Sequence, residues 1–401
     1  MSAIITALSS VGLAVTAGEQ APARYTLEGC VLEVDPPVEV GRAPGHFWFS
    51  YLHVIQGQDI LCEVVLSDDK AQGKWPAALC LSRDGGKSWS RVRDIDSYGP
   101  VSTPLAAGRI LFMPYETWPI SPADKRNAVA DGTIVTLADD GSLTAQPTPV
   151  KYLSFPQDLA DYHVGEVYLF VNGNILSLKD RRLFATVYGK FAGDTKDSVW
   201  SVTSADHGFT WQFQSVVASG KDLTNLTEGA NESHTARLAD GRLLTVYRTG
   251  SDYHKSYSSD EGETWSAPEP MPGVFRVEPQ LVRLENGVLL LSGGRQGLYL
   301  WACTDGEGKK WEQFNLAEHH NRQVPDEAHR YTADFCEGKN VDPPQSTSYT
   351  GMKAVGPNEV LISYDHLANG WKGAPGPWGP HDMVFCVRVK ATLRPPEKSI
   401  P

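Results

Sequence analysis

The sequence lacks the motifs that mark most metal-dependent, nucleotide-binding and thiol-based enzymes. No H-E-x-x-H motif, phosphate-binding loop or dinucleotide-binding glycine fingerprint occurs in its 401 residues. Its histidines and aspartates are not spaced as metal ligands. Its six cysteines include no C-x-x-C pair, which argues against zinc-ribbon and thioredoxin-like sites. We therefore expect no cofactor and no metal.

The cysteines do not suggest a disulfide framework, although their even number permits one. Cys62, Cys80, Cys303 and Cys386 lie in apolar runs that are typical of β-strands. Cysteine in such a run packs as a small apolar side chain. We expect buried free thiols.

The chain also has fewer basic than acidic residues. Its formal net charge is -12 and its pI is about 5.4, so nucleic acids and anionic membranes are poor partners. A small anionic substrate remains compatible with this charge, because a local group of arginines can override the overall field. The sequence does not predict an oligomeric state.

Long apolar segments and convincing helices are missing as well. The first eighteen residues, MSAIITALSSVGLAVTAG, carry no charge. They could be a signal peptide, with Val15-Thr16-Ala17 as the cleavage site, although a basic start is missing. The alternative is an apolar strand that packs on the main fold, so localisation (secreted, periplasmic or cytoplasmic) stays open. No other stretch is long enough to span a membrane.

What the sequence does contain is a repeated turn motif. The pattern S-x-D-x-G-x-[ST]-W occurs three times without a gap, a fourth copy is one residue longer, and a degenerate fifth surrounds Asp139. The four clear copies are SRDGGKSW (82–89), SADHGFTW (204–211), SSDEGETW (258–265) and CTDGEGKKW (303–311). The Asp carboxylate can accept backbone hydrogen bonds, Gly supplies a positive φ, and Trp begins the next strand. β-rich runs precede each copy, so each motif predicts the turn of a hairpin.

The spacing of the motifs predicts the number of repeats. Asp206 and Asp260 are 54 residues apart, and Asp260 and Asp305 are 45 apart. The 122 residues between Asp84 and Asp206 leave room for two units. Further strand-like segments follow Trp311, which gives six repeats, the last completed by an N-terminal strand. We expect one domain over 1–401, with the repeats at about 40–392.

These motifs resemble the Asp-box, or BNR, repeats of the sialidase (neuraminidase) superfamily. The resemblance covers roughly residues 40–392 and implies an all-β, six-bladed β-propeller. In that family the turns lie away from the active site, and they also occur in proteins that are not sialidases. The motif aspartates are therefore expected to be structural: Asp84, Asp206, Asp260 and Asp305.

The resemblance also implies an active site. The family holds a sugar carboxylate with three arginines, attacks with a tyrosine activated by a glutamate, and uses an aspartate as acid and base. Asn231-Glu232-Ser233, followed by a strand turn and Arg248, matches the family's base and second arginine. Arg295 after two glycines resembles the third arginine, and Tyr349 resembles the nucleophile. The acid/base position falls on Asp68 or Asp69.

One position departs from the family. Trp48 stands where the first arginine is expected, and Arg42 lies upstream of it. The loss of one arginine puts sialic acid itself in question. Trp48, with Tyr51 and His53, could instead form a wall on which a different sugar stacks.

The leading interpretation is a sialidase-like exo-glycosidase whose partner is a glycan with a terminal acidic sugar. One alternative is another carbohydrate-active enzyme, such as a neutral-sugar glycosidase or a uronate lyase. A lyase could use the His–Tyr pairs of Asp161-Tyr162-His163 and Asp252-Tyr253-His254. The other alternative is a glycan-binding protein without catalysis.

Overall fold

The computed structural model describes residues 21–69, 75–106, 108–161, 167–223, 225–339 and 344–395. The regular secondary structure of this part of the chain is almost entirely β, as the motif spacing predicts. The N-terminal segment 1–20 lies outside the described residues, so both interpretations of it stay predictions. Among the described helices, none has the length and apolar character needed to cross a membrane.

The first half of the chain contains seventeen strands within the described ranges. They are β1 (Ala23–Thr26), β2 (Cys30–Val34), β3 (Val38–Ala43), β4 (Trp48–Gln56), β5 (Asp59–Val65), β6 (Ala77–Ser82), β7 (Ser90–Ile95), β8 (Val101–Pro104), β9 (Arg109–Met113), β10 (Trp118–Ser121), β11 (Asp124–Leu137), β12 (Leu143–Leu153), β13 (Leu169–Val171), β14 (Leu176–Ser177), β15 (Leu183–Gly189), β16 (Ser198–Ser204) and β17 (Thr210–Ala218).

The second half adds strands and a short helical insertion. They are β18 (Asn231–Arg237), β19 (Leu243–Arg248), β20 (His254–Ser258), β21 (Glu269–Pro270), β22 (Val277–Arg283), β23 (Leu289–Gly294), β24 (Tyr299–Cys303), β25 (Glu312–Asn315), α1 (Leu316–Gln323), α2 (Ala333–Cys336), β26 (Thr350–Gly356), β27 (Glu359–His366) and β28 (Asp382–Leu393). Two 3₁₀ turns occupy Glu327–His329 and Gly370–Lys372.

The strands form antiparallel units that follow one another along the chain. β4–β7, β18–β21 and β22–β25 are each a four-stranded sheet. A ten-stranded sheet contains two such units, around β8–β12 and β13–β17, which the parallel pairing of β12 with β17 joins. The sixth unit is β26–β28, extended by β1, β2 and β3. The predicted completion of the last unit by an N-terminal strand is therefore confirmed.

The first strands of neighbouring units pack against one another: β18 contacts β22, β22 contacts β26, and β26 contacts β4. We call β4, β18, β22 and β26 the inner strands. Apolar side chains on both faces of the sheets are buried between units, for example Trp200, Leu290 and Val387. Such two-sided burial explains why the strands read as continuous apolar runs rather than alternating ones.

The repeated motifs form the hairpin turns that the sequence predicts. In the third copy, the Asp260 carboxylate accepts hydrogen bonds from the Thr264 backbone N–H at 2.9 Å and from the hydroxyls of Thr264 and Ser258. Gly262 has a φ of +89°, which only glycine adopts readily. The motif aspartates therefore stabilise turns.

Two features of the insertion and the core bear on the predictions. The expectation that no helix of convincing length exists was wrong, because α1 has eight residues. Its N-cap Asn315 accepts the Glu318 N–H, and its mostly polar sequence explains why the pattern gave little signal. All six cysteines are buried and free, as expected.

Candidate active site

Three inner strands begin with the same local irregularity. Phe49, Glu232 and Glu278 have positive φ values of 47°, 34° and 47°, and the strand pairing shifts register beside each of them. Bulges of this kind re-aim a side chain and cost backbone strain, which is common at functional sites. Because β4, β18 and β22 are the first strands of their units, these positions are equivalent in the repeat.

Glu232 is the centre of the site. Its Oε1 accepts a hydrogen bond from the Tyr349 hydroxyl at 2.6 Å and another from Arg248 Nη1 at 3.0 Å. Its Oε2 accepts the backbone N–H of Glu278 at 2.9 Å. Arg248 also donates to Glu228 at 2.8 Å. Three hydrogen bonds thus fix the Glu232 carboxylate, and the one to the Tyr349 hydroxyl is made by Oε1.

The surroundings of Glu232 and Tyr349 shift the pKa values of these two groups in opposite directions. Burial opposes ionisation of Glu232, but Arg248, the Tyr349 hydroxyl and Arg295 together lower its pKa. Burial and the Glu232 charge raise the pKa of Tyr349 well above its usual value. A neutral phenol therefore faces an ionised carboxylate, which is the arrangement a base needs to activate a nucleophile.

Arg295 approaches the same tyrosine from the other side. Its φ is +74°, and its guanidinium lies 5.4 Å from the Tyr349 ring and 4.2 Å from the Trp371 ring. Cation–π contacts of this kind hold the charge in place without neutralising it. Its Nε is buried without a hydrogen-bond partner, so Arg295 keeps a donor for a ligand.

Asp365 fixes the backbone that carries the tyrosine. Its carboxylate accepts the backbone N–H groups of Ser348 at 2.6 Å and Phe49 at 3.1 Å, as well as the Thr347 hydroxyl. Burial raises its pKa to about 6 despite these donors. One buried acid therefore connects the start of β4 with the segment that precedes β26 and positions Tyr349.

The structure thus brings together four of the residues that the sequence analysis selected: Tyr349, Glu232, Arg248 and Arg295. Asp68 and Asp69 lie, as expected, in the loop between β5 and β6, where the described residues end at 69. Burial raises the pKa of Tyr115, and the charges of Glu232 and Asp69 raise it further. Asp69 and Glu232 therefore both act on the same tyrosine. The structure gives no basis for choosing one aspartate.

A family model described as a BNR repeat-like domain matches residues 110–349. The chain belongs to this family. The match agrees with the resemblance of its repeats to those of the sialidase superfamily. No curated protein matches the sequence.

Solved structures share the fold with this BNR-family chain at low identity. A protein of unknown function from Dyadobacter fermentans DSM 18053 is 18% identical, with a TM-score of 0.63 over 90% of this chain and 99% of that chain. A GH93 α-L-arabinofuranosidase of Fusarium graminearum is 14% identical, with a TM-score of 0.54 over 89% and 98%. A mutant Trypanosoma rangeli sialidase is 13% identical, with a TM-score of 0.53 over 93% and 58%. These similarities confirm an all-β class and leave the blade number a prediction.

The expected role of Trp48 was wrong for this family member. Its side chain is only 1% exposed, stacks between His46 and Phe49, and donates from Nε1 to the Ser67 carbonyl at 2.9 Å. Tyr51 and His53 are also buried. No sugar can stack on side chains that other residues cover. Arg42 does not replace the missing arginine either, because it pairs with Glu39.

Sequence reasoning missed a third arginine. Arg276, Arg248 and Arg295 line one cleft of about 250 Å³, together with Glu228 and residues of the neighbouring loops. Arg276 is 7% exposed, stacks on Phe275 and Tyr299, and has no hydrogen-bond partner at Nε or Nη1. A buried guanidinium with free donors in a cleft indicates an anion-binding position.

It also missed a second carboxyl group. Glu278 is 1% exposed and accepts hydrogen bonds from Asn172 at 2.8 Å and Gln280 at 3.3 Å. Burial and the nearby Glu232 charge raise its pKa well above the usual value, which favours the protonated form. Aligning the repeats could have found it, because Val277-Glu278 and Asn231-Glu232 both begin the first strand of a unit.

The His–Tyr pair that a lyase would use is engaged elsewhere. In the second triplet, the Tyr253 hydroxyl donates to the Val277 carbonyl at 3.2 Å, and His254 Nδ1 lies 3.1 Å from the Asp252 carbonyl. Tyr162 and His163 of the first triplet lie outside the described residues.

Proposed function

We propose that this protein is a sialidase-like glycoside hydrolase that removes a terminal acidic sugar from a glycan. We also propose that its six strand units are the blades of a single six-bladed propeller, with the site at one mouth of the central channel. The 2.6 Å hydrogen bond between the Tyr349 hydroxyl and the Glu232 carboxylate carries the proposal, because few structural roles require a phenol aimed at a buried, ionised carboxylate.

The reaction follows from this pair. Tyr349 Oη attacks the anomeric carbon as Glu232 takes its proton, and the bond to the leaving oxygen breaks. Asp69 or Asp68 donates a proton to that oxygen. Water, deprotonated by the same aspartate, then displaces the tyrosine, which recovers its proton from Glu232. An initially neutral nucleophile suits a sugar whose own carboxylate would repel an anion.

The cleft beside the pair supports an acidic sugar. Three guanidinium groups meet there, while two carboxylates, Glu228 and Glu232, are already paired with Arg248. Arg295 and Arg276 therefore retain positive charge and unused donors. We propose that Arg276 provides the third cation in place of the arginine that Trp48 replaces, so the sugar carboxylate binds on the β22 side of the site.

The test is release of a fluorogenic aglycone from an α-sialoside and from a panel of uronides. Tyr349→Phe should lower kcat/KM by more than about 10³-fold. Its control is Tyr25→Phe, which removes a hydroxyl that contacts His319 in another part of the fold. Equal turnover by wild type and Tyr349→Phe would refute the mechanism. Glycan binding without any product would favour a binding protein, and an unsaturated uronide product would favour a lyase.

A neutral-sugar glycosidase is the second candidate. Two observations favour it: Trp48 replaces the first arginine, and Glu278 adds a second buried carboxyl group, with a raised pKa, beside Glu232. The Fusarium structure of similar fold is named an α-L-arabinofuranosidase. Activity on an α-L-arabinofuranoside that Arg276→Met leaves unchanged would support this candidate, whereas an acidic substrate should lose at least about tenfold in kcat/KM.

A further inference from the structure

A second cavity lies at the far end of the inner strands. It has a volume of about 510 Å³, and residues of β4, β18, β22 and β26 line it, including Val54, His234, Arg283 and Lys353. The cavity extends along β18 from His234, two residues after Glu232, to Arg237 at the end of the strand. It shares no lining residue with the cleft that Arg248, Arg276 and Arg295 line. The two sites are distinct.

The lining of this cavity is basic in an acidic protein. It contains Lys353, Arg283, Arg237 and His234, and no aspartate or glutamate is among its described lining residues. Arg237 is paired with Glu261 at 2.7 Å, outside the set that lines the cavity. The chain has a net charge of -12, so a cavity lined by basic residues without carboxylates is a local environment that favours anions.

His234 gives an independent indication of a ligand. Its side chain is 1% exposed and lines the cavity, and neither ring nitrogen has a well-oriented hydrogen-bond partner among the described residues, although the ring faces the Leu281 backbone. Burial and the neighbouring Lys353 hold the pKa of His234 well below its usual range. A buried neutral imidazole without a partner loses free energy unless a bound group or water satisfies it.

Lys353 provides the charge. Burial alone lowers its pKa to about 8, with no carboxylate contributing, so the ammonium group is still the main form at neutral pH. The same positive charge lowers the pKa of the buried His53, which packs nearby. A cation in such surroundings disfavours a metal ion and favours an anion that would compensate it.

We propose that this cavity binds a small oxyanion (a carboxylate, sulfate or phosphate group), with Lys353 as its cationic ligand and His234 as a hydrogen-bond donor. The cavity is large enough for a small organic acid or an acidic monosaccharide. This inference does not depend on the proposed function, because it uses no residue of the active site.

The experiment compares thermal unfolding and isothermal titration with phosphate, sulfate and citrate against chloride at constant ionic strength. Wild type should show saturable stabilisation, and the three anions distinguish the class of oxyanion. Lys353→Met should weaken binding at least about tenfold, since it removes a charge-assisted hydrogen bond. Lys125→Met, at an exposed position of β11, is the control and should bind like wild type.

Lys353→Met should also be at least as stable as wild type without anions, because it no longer places a charge in a partly buried position with no carboxylate among the described lining residues. Stabilisation by oxyanions that is equal in wild type and Lys353→Met would overturn the proposal, as would its absence in wild type. If Lys353→Met does not fold, selenate soaked into crystals of the wild type tests whether the cavity binds an oxyanion. An anomalous peak beside Lys353 Nζ is expected, and selenate bound only elsewhere would refute the site.

Discussion

The backbone N–H of Glu278 donates to the carboxylate of Glu232, so the start of one strand unit holds the carboxylate of the unit before it. Both residues occupy the bulged position of an inner strand and both are buried, yet their pKa values shift in opposite directions. Arg248 and Tyr349 favour the ionised form of Glu232, whereas burial and the Glu232 charge favour the protonated form of Glu278. Two equivalent positions of the repeat thus carry one carboxyl group with a lowered pKa and one with a raised pKa.

Glu278→Gln tests the protonation state of the second acid. Its pKa is raised in the folded protein, so wild-type stability is complete below the ordinary value of 4.5 and declines as pH rises towards the folded pKa. Glutamine does not titrate. Denaturant unfolding from pH 4 to pH 8 should show the variant gaining stability relative to wild type as pH increases. A constant difference across this range would show that Glu278 does not change its charge on folding.

Arg248→Gln should move the acidic limb of activity. Burial opposes ionisation of Glu232, and Arg248 is the main group that lowers its pKa. Without the arginine, Glu232 becomes protonated at a higher pH and can no longer accept the Tyr349 proton. The acidic limb of the kcat/KM profile should therefore shift upward. Stability should also fall, because a depressed pKa stabilises the fold above the unfolded value and this contribution disappears. Arg242→Gln, whose guanidinium pairs with Asp240 at the surface, is the control.

Local patterns predicted the part of the site that one hairpin builds. Asn231 is paired with Arg248 across β18 and β19, so a single turn brings the arginine beside Glu232. The motif turns were equally predictable, since their hydrogen bonds are made within eight residues of sequence. Short-range geometry and residue identity were sufficient in both cases.

Long-range packing decided what the sequence could not show. Trp48 is covered by Trp371, more than 300 positions later in the chain, so its burial could not be inferred from neighbouring residues. The free donors of Arg276 likewise depend on the cleft between two units. Such burial is a property of the assembled sheets, whereas the local pattern within one strand shows only residue type and spacing.

Gly173→Ala should be strongly destabilising. Gly173 has a φ of +99°, and an added Cβ would lie 2.2 Å from the Ser233 carbonyl oxygen, next to Glu232. Backbone must move to relieve this contact, which should cost more than about 2 kcal/mol. Gly193→Ala is a matched control, because Gly193 has a φ of +90° but no heavy atom within 4 Å of the added Cβ. Equal losses in chemical denaturation would mean that the contact with Ser233 contributes nothing.

Asp260→Ala tests whether the repeated motif contributes to stability and not to catalysis. The variant loses the carboxylate that accepts the Thr264 N–H and the hydroxyls of Ser258 and Thr264, so stability should fall by about 1–2 kcal/mol, as for a lost helix cap. The hydrogen bonds to Asp260 lower its pKa, so this contribution should diminish as pH falls through that value. At temperatures where both proteins are folded, kcat should be unchanged, because the turn lies between β20 and β21, at the outer side of its unit. A large decrease in kcat without a change in thermal stability would instead assign the motif a direct role in the reaction.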